Sequence, residues 1–107
     1  MKLRKINAII RCEVLEQVER KLQDMGVQGV TVSQVKGFGE YANTYTKDWL
    51  VTHARIEIFT DEAQADAIAE AILETAHTGV SGDGIVAILP VEKLLRIRTK
   101  CDDSARE

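Results

Sequence analysis

Val51-Thr52-His53-Ala54-Arg55-Ile56-Glu57-Ile58-Phe59 alternates apolar and polar side chains. Ala54, Ile56 and Ile58 fall on one side, and His53, Arg55 and Glu57 on the other. A period of two is the mark of a strand with one face in a core and one face turned to something wetter. Downstream, Asp61 with Gln64 three residues later resembles a capping box with Asp in the Ser/Thr place. Ala65, Ile68, Ile72 and Ala76 then recur at helical spacing, which predicts a helix to about His77. Upstream, Val14, Leu15, Val18, Leu22 and Met25 give Glu13–Met25 a similar stripe, and Gly26 ends it. Lys5–Arg11 (KINAIIR) and the β-branched run Val27–Lys36 read as strands flanking that helix. Ile85–Leu89 reads as a strand, Pro90–Leu94 as a turn, and Leu95–Thr99 as a short strand. The charged tail from Lys100 is expected to fray.

The order is therefore strand-helix-strand, a polar loop over residues 40–50, and strand-helix-strand again. Two such halves predict an α+β fold, the ferredoxin-like βαββαβ sandwich, with an antiparallel sheet covered by two helices on one face. The polar face carrying His53, Arg55 and Glu57 needs a cover, and a second subunit with a wet seam fits that face. At 107 residues the chain is one domain, residues 1–99, followed by a tail over 100–107. Fourteen Lys+Arg against seventeen Asp+Glu give a net charge of −3, which argues against a protein that lives by neutralising nucleic-acid phosphates. There is no apolar run of roughly 20 residues and no signal-peptide pattern, so a cytoplasmic location is expected. Cys12 and Cys101 lack CxxC spacing and read as reduced thiols, or as a redox pair if the strand ends meet. His53 and His77 share no metal-ligand spacing, so no metal is expected. No nucleophile–base arrangement declares a catalytic site.

Three elements could carry chemistry. Gly37-Phe38-Gly39 and Gly79-Val80-Ser81-Gly82-Asp83-Gly84 are either simple turns or places where backbone N–H groups approach an anion. Neither matches the Walker or dinucleotide glycine patterns. On a strand, Arg96 and Arg98 point the same way, so two guanidiniums would share either an anion such as a di- or triphosphate or acidic groups such as Glu57. Tyr41, Tyr45 and Trp49 in the 40–50 loop either pack at its base or form a docking surface.

Five stretches together resemble the P-II signal-transduction proteins: KINAIIR (5–11), GVQGVTVSQVKGFG (26–39), RIEIF (55–59), HTGVSGDG (77–84) and VEKLLRIRT (91–99). That resemblance implies a homotrimer of ferredoxin-like subunits with an adenine nucleotide in each of three intersubunit clefts. It implies that the loop at about 40–50, the T-loop, docks on target proteins. It places Gly37, Phe38 and Gly39 at the phosphates, Thr31 and Glu57 near the adenine, Gly82, Asp83 and Gly84 in the phosphate-wrapping B-loop, and Arg96 and Arg98 as the paired C-terminal arginines.

The chain also departs from the family pattern. Where typical members continue GDGK, this one reads Gly82-Asp83-Gly84-Ile85. The Arg-Gln pair after GFG is Glu40-Tyr41, and the loop-exit lysine that pairs with 2-oxoglutarate aligns with His53. The T-loop is about seven residues shorter than usual, as in the divergent branch that includes carboxysome-associated, bicarbonate-responsive proteins. Each lost charge-assisted contact costs roughly 1.5–3 kcal/mol, and a triphosphate loses more than a mono- or diphosphate. ADP or AMP is therefore expected to bind at least as well as ATP, with 2-oxoglutarate weak and bicarbonate the favoured second ligand beside Glu40, Tyr41 and His53. The expected role is a regulator of a target such as an inorganic-carbon transporter. A nitrogen-regulatory protein sensing ATP, ADP and 2-oxoglutarate is the alternative, and a weak ATPase, with Asp83 or Glu40 positioning water, is a further one.

Overall fold

The computed structural model describes residues 2–38 and 51–102. Strand β1 (Leu3–Ile10) runs into a single 3-10 turn at Cys12–Val14 and then helix α1 (Leu15–Asp24). Strands β2 (Thr31–Gly37) and β3 (Val51–Asp61), helix α2 (Glu62–Ala76) and strand β4 (Gly84–Val91) follow. Two-residue strands β5 (Leu95–Arg96) and β6 (Cys101–Asp102) close a small hairpin. The main sheet is antiparallel in the order β2-β3-β1-β4. That is the expected ferredoxin-like arrangement.

The alternation in β3 is real. Ala54, Ile56 and Ile58 are buried, and across the ladder they meet Ile10, Ala8 and Ile6, also buried. Val18 and Leu22 of α1 and Ile68, Ile72 and Ala76 of α2 close over them, making one hydrocarbon layer between sheet and helices. Burying a side chain such as Ile56 contributes roughly 1.5–3 kcal/mol. Helix α1 ends as its glycine predicts. Gly26, at φ +85°, donates to the Gln23 carbonyl, and Val27 N–H reaches back to the Leu22 carbonyl. That paired pattern is the Schellman cap. The carboxylate of Asp61 accepts from Gln64 N–H at 2.9 Å and caps α2.

Four boundaries differ from the sequence reading. The α-helical part of α1 begins at Leu15, because Cys12–Val14 winds as a tighter 3-10 turn. Strand β2 begins at Thr31, and the Val27 N–H is spent on the helix cap. Strand β4 runs through Pro90, which is tolerated because β4 is an edge strand and an absent N–H on an outer edge breaks no ladder bond. The expected strand Leu95–Thr99 is only Leu95–Arg96. Residues 97–100 turn, Lys100 takes φ +56° and donates to the Arg96 carbonyl at 2.8 Å, and Cys101–Asp102 pairs back inside the stretch read as a frayed tail.

The second face of the sheet has no helices. Register places Lys5, Asn7 and Ile9, Arg55, Glu57 and Phe59, Thr31, Ser33 and Val35, and Ile85 and Leu89 on it. Phe59, Ile85 and Leu89 remain more than 40% exposed. Asn7 Oδ1 and Ser33 Oγ are buried on the same face with no hydrogen-bond partner among the described residues. Among the described residues no helix is long and apolar enough to cross a membrane.

Candidate functional site

The glycine-rich loop over residues 77–84 leaves α2 and enters β4 beside the end of β1. Its organiser is Asp83. One carboxylate oxygen accepts from the Thr78 and Gly79 backbone N–H groups at 2.8 and 2.9 Å, and the other from the Thr78 hydroxyl and from Arg11 Nε at 3.2 Å. The Thr78 hydroxyl in turn accepts from Val80 N–H at 3.1 Å. These donors favour the anion, the Thr78 hydroxyl most of all. Against the opposing cost of burial they hold the carboxyl well below the usual carboxylate range. Arg11 also donates through Nη2 to the carbonyls of Ser81 at 2.6 Å and Val80 at 3.4 Å.

Gly82 and Gly84 are required by geometry. Gly82 is buried at φ +99°, and Gly84 sits at φ +113°. A Cβ on Gly84 would lie 1.8 Å from the Ile9 carbonyl oxygen. No side chain fits there.

His53 was expected on a polar face as a second-ligand candidate. It is 2% exposed, with Nε2 3.2 Å from the Gly82 carbonyl oxygen. A carbonyl only accepts, so that nitrogen carries the proton. His53 thus ties the beginning of β3 to the glycine-rich loop.

Gly37 and Phe38 end β2 at this same end of the sheet, where Gly37 pairs with Val51 and Phe38 is largely exposed. Gly39, Glu40, Tyr41, Tyr45 and Trp49 lie outside the described residues. Thr31 and Glu57 are direct cross-strand partners in mid-sheet. Glu57 is held by Lys5 at 2.6 Å and Arg55 at 3.6 Å, and the Lys5 hydrogen bond lowers its carboxyl from the ordinary value. Its ion pairs are to these residues rather than to the C-terminal arginines that spacing proposed.

Arg96 lies elsewhere. It lines a cleft of about 380 Å³ with Leu3, Gln28, Asp61, Gln64 and Leu94, at the opposite end of β1 from Gly84. Eight strand residues separate those ends, a span of about 23 Å at ~3.3 Å per residue. Arg98 lies in the turn after β5 and so does not repeat the strand direction of Arg96. One chain therefore places Gly37, Phe38 and Gly82–Gly84 at one end of the sheet, on strands at its two edges, and Arg96 at the other end. The cysteines divide the same way. Cys12 follows β1 at the glycine end and Cys101 pairs with Arg96, so no bridge closes within a chain, and both thiols are free and exposed. Among the described residues no group of three potential metal ligands gathers.

Residue spacing did not single out Arg11, Thr78 or the tie from His53 to Gly82. A Thr five residues before an Asp in a glycine-rich loop was the available signal, since Asp and Thr side chains bind nearby backbone. Arg11 carried no local signal, because its partners are about 70 residues away.

The sequence profile described as "Nitrogen regulatory protein P-II" matches residues 3–101. The chain belongs to the P-II family. It is 39% identical over 105 residues to the nitrogen regulatory protein P-II of Pasteurella multocida, covering 91% of this chain and 93% of that protein. The P-II protein of Nostoc punctiforme is 38% identical with the same coverage. A crystal structure of Arabidopsis thaliana PII bound to citrate superposes with a TM-score of 0.83 at 37% identity, covering 99% of this chain and 92% of that one. P-II proteins are signalling regulators, and no catalytic family is indicated. The branch with carboxysome-associated members is a finer assignment than these likenesses make.

Proposed function

We propose that this P-II chain works as a homotrimer that binds adenine nucleotide in its intersubunit clefts, and that residues 40–50 report the bound state to a target protein. The observation that carries this reading is the split site. The glycine loop and Arg96 sit at opposite ends of one subunit's sheet, so a phosphate group can meet both only where two subunits adjoin. The open sheet face supports the assembly. Phe59 and Leu89 offer apolar area on it. Gly37, Phe38, Gly39, Gly82, Asp83, Gly84, Arg96 and Arg98 are the proposed phosphate contacts, and Thr31 and Glu57 the adenine contacts.

ADP or AMP binds at least as well as ATP in this reading, because Ile85 follows Gly84 where a lysine would add charge for the third phosphate. His53 is buried and engaged with Gly82, so it offers no exposed cation to a 2-oxoglutarate carboxylate. Bicarbonate is the proposed second ligand, and a transporter of inorganic carbon the proposed target. A nitrogen-regulatory role is the second reading, favoured by the names of relatives at 35–39% identity. Citrate bound to the Arabidopsis protein supports small carboxylates as ligands of this scaffold.

The test is calorimetric titration with AMP, ADP and Mg-ATP, each alone, with bicarbonate and with 2-oxoglutarate. Tightening by bicarbonate alone supports the carbon-responsive reading. Strong tightening of Mg-ATP by 2-oxoglutarate would replace it with the nitrogen-regulatory one.

A further inference from the structure

We infer that the hairpin tip of one subunit, led by Ile97, seats in the groove between helix α2 and strand β4 of the next. The inference rests on the assembly proposed above and names a contact that joins its two unlike ends.

The groove lies at the glycine end. Ile10, Ile72, Leu73, Ala76 and Val86 line a hollow of about 160 Å³ between α2 and the edge strand β4. Leu73 is 50% exposed there, although its neighbour Ile72 belongs to the core. Among the described residues no strand pairs with the outer side of β4. The tip lies at the other end. Leu95 is 61% exposed, and Ile97, at 96%, is the most exposed large apolar side chain among the described residues. An aliphatic side chain held in water gains by entering a hollow of its own character.

One chain has no way to make this contact with itself. The groove adjoins the Ile10–Gly84 pair and the hairpin follows the Leu3–Val91 pair, so the length of β1 lies between them. A tip that fills the groove therefore comes from another copy. Charge selects the same pairing. Residues 93–100 carry Lys93, Arg96, Arg98 and Lys100 and no acid. On α2, Glu70 lies one turn before Leu73 and Glu74 directly after it, and both are exposed. A cationic tip against an acidic rim steers two copies head to tail and disfavours tip against tip. Such a contact uses a different surface on each partner and closes into a ring when its rotation allows. It also carries Arg96 of one copy toward the glycine loop of the next, which is the meeting that the split site requires.

The test places a thiol on each surface of the full-length chain. Cys12→Ser and Cys101→Ser remove the native thiols, and Leu73→Cys and Ile97→Cys are introduced together. A short bismaleimide then joins the two positions where they meet, each thiol adding across one maleimide double bond. Denaturing electrophoresis is expected to show covalent dimers and trimers, since the two positions of one chain stand at opposite ends of the sheet. Glu16→Cys with Ile97→Cys, on the exposed side of α1 and off the groove, is expected to give single chains. On dilution in the ultracentrifuge, Leu73→Ser and Ile97→Ser are each expected to raise the dissociation constant about ten-fold. The double variant should lose little more than either single one, because residues in contact are not additive. A trimer that yields no covalent ladder, or losses that add in the double variant, overturns the inference and leaves the assembly reading in place. A chain that is monomeric at every concentration overturns both. A ladder from protein that binds no ADP by calorimetry upholds the inference and removes the nucleotide reading.

Discussion

The two ends of the β-sheet are built on different principles. At the glycine end, Arg11, Thr78, Asp83 and His53 tie β1, β3 and the loop before β4 into one hydrogen-bonded unit. At the arginine end, a two-residue hairpin carries Leu95 at 61% exposure and Ile97 at 96%. The first end is completed within the chain. The second presents apolar side chains that stand exposed among the described residues. In the proposed assembly, a binding site that draws on both ends is made between subunits, with the glycine end supplying the geometry and the arginine end contributed by a neighbour.

The sharpest way to break this contrast is Gly84→Ala. Its Cβ would collide with the Ile9 carbonyl, and neither backbone can yield without parting β1 from β4. A loss of more than about 3 kcal/mol is expected, since such large effects follow from strain at special backbone positions. Chemical denaturation would measure it, and a variant of ordinary stability would show that the glycine end is softer than argued here.

Asp83→Asn comes next. It replaces an anion that accepts four hydrogen bonds with an amide that turns two donors toward Arg11 or the loop N–H groups. A cost of about 2 kcal/mol is expected, the scale of hydrogen bonds to charged groups. The pH dependence has a definite sign. The folded carboxyl is depressed, so its stabilisation is complete above the unfolded Asp value of about 3.9 and is lost as pH falls toward the lower folded value. Thermal melts of the wild type should decline below about pH 4 more steeply than those of Asp83→Asn. Parallel acid profiles would remove Asp83 as the cause.

Ile85→Lys sharpens the contrast by adding charge to the glycine end. ATP affinity should rise about ten-fold, equivalent to about 1.4 kcal/mol, with a smaller gain for ADP. Equal gains for both nucleotides would place position 85 away from the terminal phosphate.

Ile97→Ser has the smallest effect on the chain itself. At 96% exposure its replacement should leave unfolding of the isolated subunit within about 0.5 kcal/mol. The same change should weaken the proposed trimer, visible as earlier dissociation on dilution in analytical ultracentrifugation. Unaltered assembly would mean that the hairpin stays outside the subunit interface.

Much of this protein was legible along the chain because the relevant forces are local. The alternation of Ala54, Ile56 and Ile58, the helical stripe through Ile68 and Ile72, the Gly26 cap and the Asp61–Gln64 cap each depend on residues a few positions apart. The end of β4 was misjudged because Pro90 breaks central strands but not edges, and edge status is a property of the whole sheet. Reading Leu95–Thr99 as one strand failed because Lys100 enters the left-handed region to close a hairpin, which residue type alone does not announce.

The sequence by itself determined the order of elements, the buried face of the sheet and the glycines at which the chain must turn. Period, caps and steric freedom are written in neighbouring residues. Tertiary structure alone decided that His53 lies beneath Gly82, that Arg11 grips a loop 70 residues downstream, and that Arg96 sits at the far end of the sheet from the glycines. Those relations arise from strand register and crossover, which convert distance along the chain into adjacency or separation in space.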